Sequence, residues 1–234
     1  MLTMTSALAG AENTLTAKEK AEGWILLFDG KTLDGWDSSV TPAGAGRAAA
    51  APKNQAKTAT PAPAGAPAQG SHPRACSAAT TAPAGASRWE VIDGVLSPCG
   101  EPAGYLTSKE SYKNFVLAVD FRTAEDTNSG VFVRSPSASP NGAGGYEVQI
   151  WKEQPAGYNT GSIVSTAKTD KEYKFNADSW NHYEITAEGD RLVVILNGVK
   201  TLDVHDSKFA DGRVRLQYQK FPIEFRNIKL KPLK

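Results

Sequence analysis

The chain has 234 residues, 26 of them basic and 25 acidic, for a net charge of +1. No clustered basic face stands out, which excludes a nucleic-acid footprint built on charge. No apolar run approaches the roughly 20 residues of a membrane-spanning helix.

The first residues, "MLTMTSALAGAENTLT", read as the end of a secretory signal, with Ala9-Gly10-Ala11 as the small-residue cleavage site. The charged segment that opens such signals is missing. "LTAKEKAEGW", residues 15–24, is a helix: Thr16 caps it, Glu19 completes a capping box and Gly23 stops it. The period then becomes two. "WILLFDG" is a short apolar strand, and "GKTLDGW" is a turn carrying Trp36.

Residues 41–87 contain no Val, Ile, Leu, Met, Phe, Trp or Tyr. Such a stretch cannot bury enough apolar surface to offset its ordering entropy, so it reads as a disordered insertion rich in Ala, Pro and Gly. It holds Arg47, Lys53, Lys57 and Arg74 and no acid, which leaves 22 basic against 25 acidic residues in the remainder. About 185 residues are left to fold, enough for one domain formed by residues 15–40 and 88–234. Cys76 lies within the insertion and Cys99 beyond it; they either pair in an oxidising compartment or stay free.

After the insertion, strands follow at short intervals. "RWEVIDGVLSP" is a hairpin turning at Asp93-Gly94. "GYLTS" is short. "NFVLAVDFRT" puts Phe115, Leu117, Val119 and Phe121 on one face, with Asp120 and Arg122 on the other. "SGVFVRSP" places Phe132 and Arg134 away from the core, and "GYEVQIWK" does the same with Glu147, Gln149 and Trp151. "WNHYEITAEGDRLVVILNGVKTLDV" is a three-stranded meander, and "GRVRLQYQ" and "IEFRNIKLKPL" close the chain. About a dozen short strands, one helix and no alternating βα pattern predict an all-β fold: an antiparallel β-sandwich of jelly-roll type.

Taken in order, "GWILLFDGKTLDGW", "WEVIDGVL", "GYLTSKESYKNFVLAVDFRT", "NSGVFVRSP", "GYEVQI", "WNHYEI", "LNGV" and "FRNIKLK" resemble the 3-keto-disaccharide hydrolase family, whose members are concanavalin A-like sandwiches. The resemblance covers residues 15–40 and 88–234. It implies a secreted or periplasmic carbohydrate-active enzyme acting on sugars whose 3-hydroxyl has been oxidised to a ketone. The ketone acidifies the hydrogen on carbon 2, so a general base can remove that proton and the aglycone can leave from carbon 1. A non-catalytic carbohydrate-binding module of the same fold is the alternative.

Such chemistry needs a base, a stabiliser for the enolate and an acid for the departing oxygen. Glu147 is the candidate base, with Arg134 as oxyanion stabiliser and Gln149 and Asp120 completing the catalytic patch. Trp151 and Arg122 would edge it, an aromatic face suiting the CH surface of a sugar. Asn128 and Ser129, before Gly130, and Tyr158 and Asn159, in the loop of residues 152–165, are candidate substrate contacts. An ordinary wet sheet face carrying cross-strand Arg–Glu pairs would use the same residue types. His182 and His205 suit solvated positions. Gln219 stands where family members commonly have His. No zinc-ligand spacing exists, and calcium through Asp126 or Asp211 is the one metal the fold suggests.

Overall fold

A computed structural model of the chain describes residues 12–40, 76, 86–136, 144–170, 178–219 and 222–234. The signal-like start lies outside these residues. So does the insertion, apart from Cys76 and the buried Ala86 and Ser87 at its end. Cys76 is joined to Cys99 in a disulfide, which settles the pairing that the sequence leaves open.

Helix α1 (Ala17–Ala21) forms because its first turn is closed from both sides. The Glu19 amide donates to Thr16 Oγ1, and the Thr16 amide donates to Glu19 Oε2 at 2.7 Å. Gly23, at φ +83°, ends it in a left-handed conformation that costs glycine little.

Thirteen strands among the described residues build two antiparallel sheets. The larger sheet runs β11 (Val199–His205), β10 (Arg191–Leu196), β9 (Asn181–Glu188), β6 (Phe115–Thr123), β13 (Ile223–Pro232), β4 (Val95–Pro98) and β3 (Trp89–Ile92), with β1 (Ile25–Leu26) also paired to β13. The smaller runs β2 (Trp36–Val40), β5 (Gly104–Tyr112), β12 (Gly212–Tyr218), β7 (Ser129–Ser135) and β8 (Tyr146–Ile150). The hairpin turns at Asp93-Gly94 and Asn197-Gly198 have positive φ at both residues. That is the turn whose twist matches a right-twisted strand pair.

The core lies between the sheets and follows the period-two pattern. Phe115, Leu117, Val119 and Phe121 of β6 and Tyr183, Ile185 and Ala187 of β9 meet Val131, Val133, Tyr146, Val148, Ile150, Val214 and Leu216 of the smaller sheet in one buried cluster. Removing a ring such as Phe121 from it would cost about 3–5 kcal/mol.

β8 is the last strand of its sheet, yet its edge is not bare. The Gln149 amide donates to Ser162 O at 3.0 Å, and the Val164 amide donates to Glu147 O at 2.9 Å. Ile163, in the same segment, is buried in the core. The loop predicted to contact substrate thus lies along β8, where it closes the side of the sandwich.

Candidate functional site

Because Tyr146, Val148 and Ile150 point inward, Glu147 and Gln149 stand on the outer face of the smaller sheet. Register extends this face across the neighbouring strands. Phe132 lies opposite Glu147, Arg215 opposite Phe132, and Thr107 opposite Arg215. In the adjacent row, Gly130 faces Gln149 and Tyr105 faces Gln217. Phe132, Arg215, Gln217, Tyr105 and Gln149 are all buried, although they point away from the core. This is a recessed face, not a washed one.

Glu147 is its reactive group. Among the described residues its carboxyl has no hydrogen bond or ion pair, and burial alone pushes its pKa up to about 7. The space beneath it exists because residue 130 is glycine. A Cβ there would lie 3.0 Å from both Cγ and Oε1 of Glu147. Arg215 stands two strands away, roughly 10 Å at the backbone from strand spacing. Its Nη2 donates to Pro136 O at 3.3 Å, and its guanidinium lies 6.0 Å from the Tyr105 ring centre. Burial lowers the Arg215 pKa from the ordinary arginine value. Two further groups on this strand and just past it are unusual: among the described residues, the amide oxygens of Gln217 and Gln219 are buried without a hydrogen-bond partner.

Of the predicted catalytic residues, Glu147 and Gln149 are brought together. Asp120 and Arg122 are not: β6 belongs to the other sheet, and their side chains lie on that sheet's outer face. There Asp120 accepts from His182 Nδ1 and Asn227 Nδ2, each at 2.7 Å. Burial alone would raise its pKa, but these bonds and the Arg226 charge hold it below the usual carboxylate range. Arg122 bonds Glu224 Oε2 through Nε at 2.7 Å and Nη2 at 2.5 Å, both residues being buried.

Arg134 also departs from its expected role. At φ +53° it breaks the alternation of β7, and its guanidinium donates to the carbonyl oxygens of Lys113, Gly189 and Phe209. It ties connections together instead of facing Glu147. Ser129, inward by alternation and fully buried, donates to Gln217 O at 2.7 Å. Asn159 accepts the Gln154 amide within its own loop, and the Tyr158 ring faces Lys168 Nζ at 5.0 Å.

Trp151 continues beyond β8 into a cavity of about 260 Å³ that it shares with Glu125, Asp126, Lys152 and Glu153. Asn128, half-buried, precedes β7. Cys76, Cys99 and Glu90 come within metal-ligand distance of one another, but both sulfurs are engaged in the disulfide. Arg215, Gln217 and Tyr105 are not among the residues singled out from the sequence. The available signal is Arg215 and Gln217 alternating with Val214 and Leu216 in "GRVRLQYQ".

The sandwich is similar to that of a protein from Parabacteroides distasonis ATCC 8503 provisionally named a glycosyl hydrolase, with a TM-score of 0.69 at 19% identity over 95% of this chain and 100% of that one. A second protein of that organism and provisional name matches with a TM-score of 0.56 at 26% identity, over 62% of this chain and 90% of its own. A search among curated proteins finds no match. The model of the 3-keto-alpha-glucoside-1,2-lyase-like domain matches residues 23–231, and the chain belongs to that family.

Proposed function

We propose that the protein cleaves 3-keto-glycosides, with Glu147 as the general base. The observation that carries this reading is a carboxyl on a recessed outer face, unpartnered among the described residues, with a pKa of about 7. A base is most effective when its pKa lies near the working pH, because it is then both ionised and basic. Glu147 takes the proton from carbon 2, and the C–H electron pair becomes an enolate on the 3-keto oxygen. The enolate then reforms the ketone as a double bond forms between carbons 1 and 2. The bond from carbon 1 to the aglycone oxygen breaks, and that oxygen leaves with a proton. Protonated Glu147 can return the proton it took, since its pKa suits either direction. Water adding to the unsaturated ketone would complete a net hydrolysis. Arg215, on the same face, is the cation we assign to the enolate oxygen, in place of Arg134.

The family assignment supports the substrate class. The Cys76–Cys99 disulfide supports a secreted or periplasmic location, since such bonds persist in oxidising compartments. A specific observation favours the binding-module alternative: Asp120, the expected second carboxylate, lies on the other sheet. Incubation with a chromogenic 3-keto-glucoside separates the two. The enzyme reading requires product from the native protein and none from Glu147→Gln; binding without release of the chromophore would leave only the module.

A further inference from the structure

Among the described residues, the buried amide oxygens that lack a hydrogen-bond partner are Gln217 Oε1 and Gln219 Oε1. They come from one strand and its immediate continuation, two residues apart, and period two puts them on the same side. For Gln217 that side is the outer face carrying Glu147, because Leu216 before it and Tyr218 after it pack against the core. Gln217 is itself more than nine-tenths buried, and its Nε2 points to Tyr105 Oη at 3.5 Å, leaving the oxygen unmatched. Buried polar groups in folded proteins are nearly always paired, so two orphan acceptors side by side need a reason.

We propose that Gln217 and Gln219 are specificity-determining residues that accept hydroxyl protons from the glycosyl ring held on the face that carries Glu147. The inference rests on the function proposed above and deepens it. Acceptors call for donors, and Gln217 shares its outer face with the Glu147 carboxyl. A neutral ring with several free hydroxyls supplies matching donors. The two glutamines are about 7 Å apart along the strand, so they reach two separate hydroxyls of one ring. A deoxy ring would leave a buried oxygen orphaned and bind poorly, the mode by which polar sites discriminate most strongly.

The test is a cycle of substrates and variants. Native protein, Gln217→Met and Gln219→Met are each assayed on a chromogenic 3-keto-glucoside and on its 4-deoxy and 6-deoxy analogues. In the native protein, at least one deoxy analogue should lose about 10- to 100-fold in kcat/KM. In the variant lacking the matching amide that penalty should vanish, with Tm unchanged or raised because an unmatched polar atom has been removed. Equal turnover of all three sugars by the native protein would overturn the proposal, as would a deoxy penalty that persists in both variants. If the native protein turns over none of them, the catalytic reading fails. Calorimetry with methyl glucoside and its deoxy analogues on the same proteins then decides alone: weaker binding of a deoxy ring by native protein, lost in a variant, sustains hydroxyl selection, and its absence overturns it.

Discussion

The two outer faces of the sandwich carry similar residue types and put them to opposite uses. On the larger sheet the charges around Asp120 and Arg122 are answered. Arg122 meets Glu224, Asp120 meets His182 and Asn227, and Arg226 lies 4.0 Å over the Trp180 ring, with Arg122 at 5.0 Å from the same ring. On the smaller sheet, among the described residues, the half-buried Glu147 has no partner, and the oxygens of Gln217 and Gln219 have none. A matched face is at rest, and changing it costs stability. An unmatched face carries a standing penalty, which a ligand supplying the missing partners would relieve. Paired charges on a sheet are therefore poor evidence of a site, whereas a dry, unpaired carboxylate is good evidence.

Exchanging the charges should separate the faces most sharply in activity. Glu147→Gln should lower kcat/KM on a chromogenic 3-keto-glucoside by about 10²–10⁴-fold, and Asp120→Asn should leave it within about twofold of native. Equal losses in both would mean that the faces are not distinct. Stability should reverse the order. Arg122→Met strands the buried Glu224 carboxylate and should cost about 3–5 kcal/mol in urea unfolding. Glu147→Gln should stabilise above neutral pH. The displacement of Glu147 from an ordinary 4.5 to about 7 corresponds to roughly 3 kcal/mol.

The direction with pH follows from linkage. Folded Glu147 holds its proton more tightly than the unfolded chain does, so its contribution to stability declines as pH rises from about 4.5 and levels off above about 7. The gain from Glu147→Gln, read as a difference in Tm, should be near zero at pH 4 and complete at pH 8. The same group should make native kcat/KM rise with pH and level off above about 7. Asp120 behaves oppositely: its lowered pKa gives stability that is present above the ordinary value of 3.8 and lost as pH falls through its folded value. The smallest effect is expected from Gly130→Ala. Its methyl group would meet the Glu147 side chain at 3.0 Å and displace the base, cutting turnover with a Tm change of a few degrees at most.

The fold was legible because it is written in local periodicity. Alternation over β6 and β8, the capping box at Thr16 and the Asp-Gly and Asn-Gly turns each follow from a few adjacent residues. The site was legible only within one strand. Glu147 and Gln149 share a face because period two requires it, but Asp120 was grouped with them on the premise that successive strands pair. The segment after Thr123 instead crosses from one sheet to the other, and nothing in the local pattern encodes that crossing. Arg134 misled for another reason. Its left-handed backbone inverts the alternation, and a non-glycine residue gives no warning of it. Arg215 and Gln217 were visible as outward positions, but their importance comes from β12 lying between β5 and β7, a fact of long-range pairing.

Arg134 has one more consequence, for the way the molecule opens. Its single guanidinium bonds carbonyls in the β5–β6 turn, the β9–β10 turn and the approach to β12, three connections far apart in sequence. Tyr146 adds to the same end, donating to Asp206 and accepting the Phe209 amide. No one of these connections can lift away without breaking bonds that hold the others. In native-state hydrogen exchange, amides at this end should exchange as one cooperative unit, at a rate set by concerted opening rather than by fraying of separate loops.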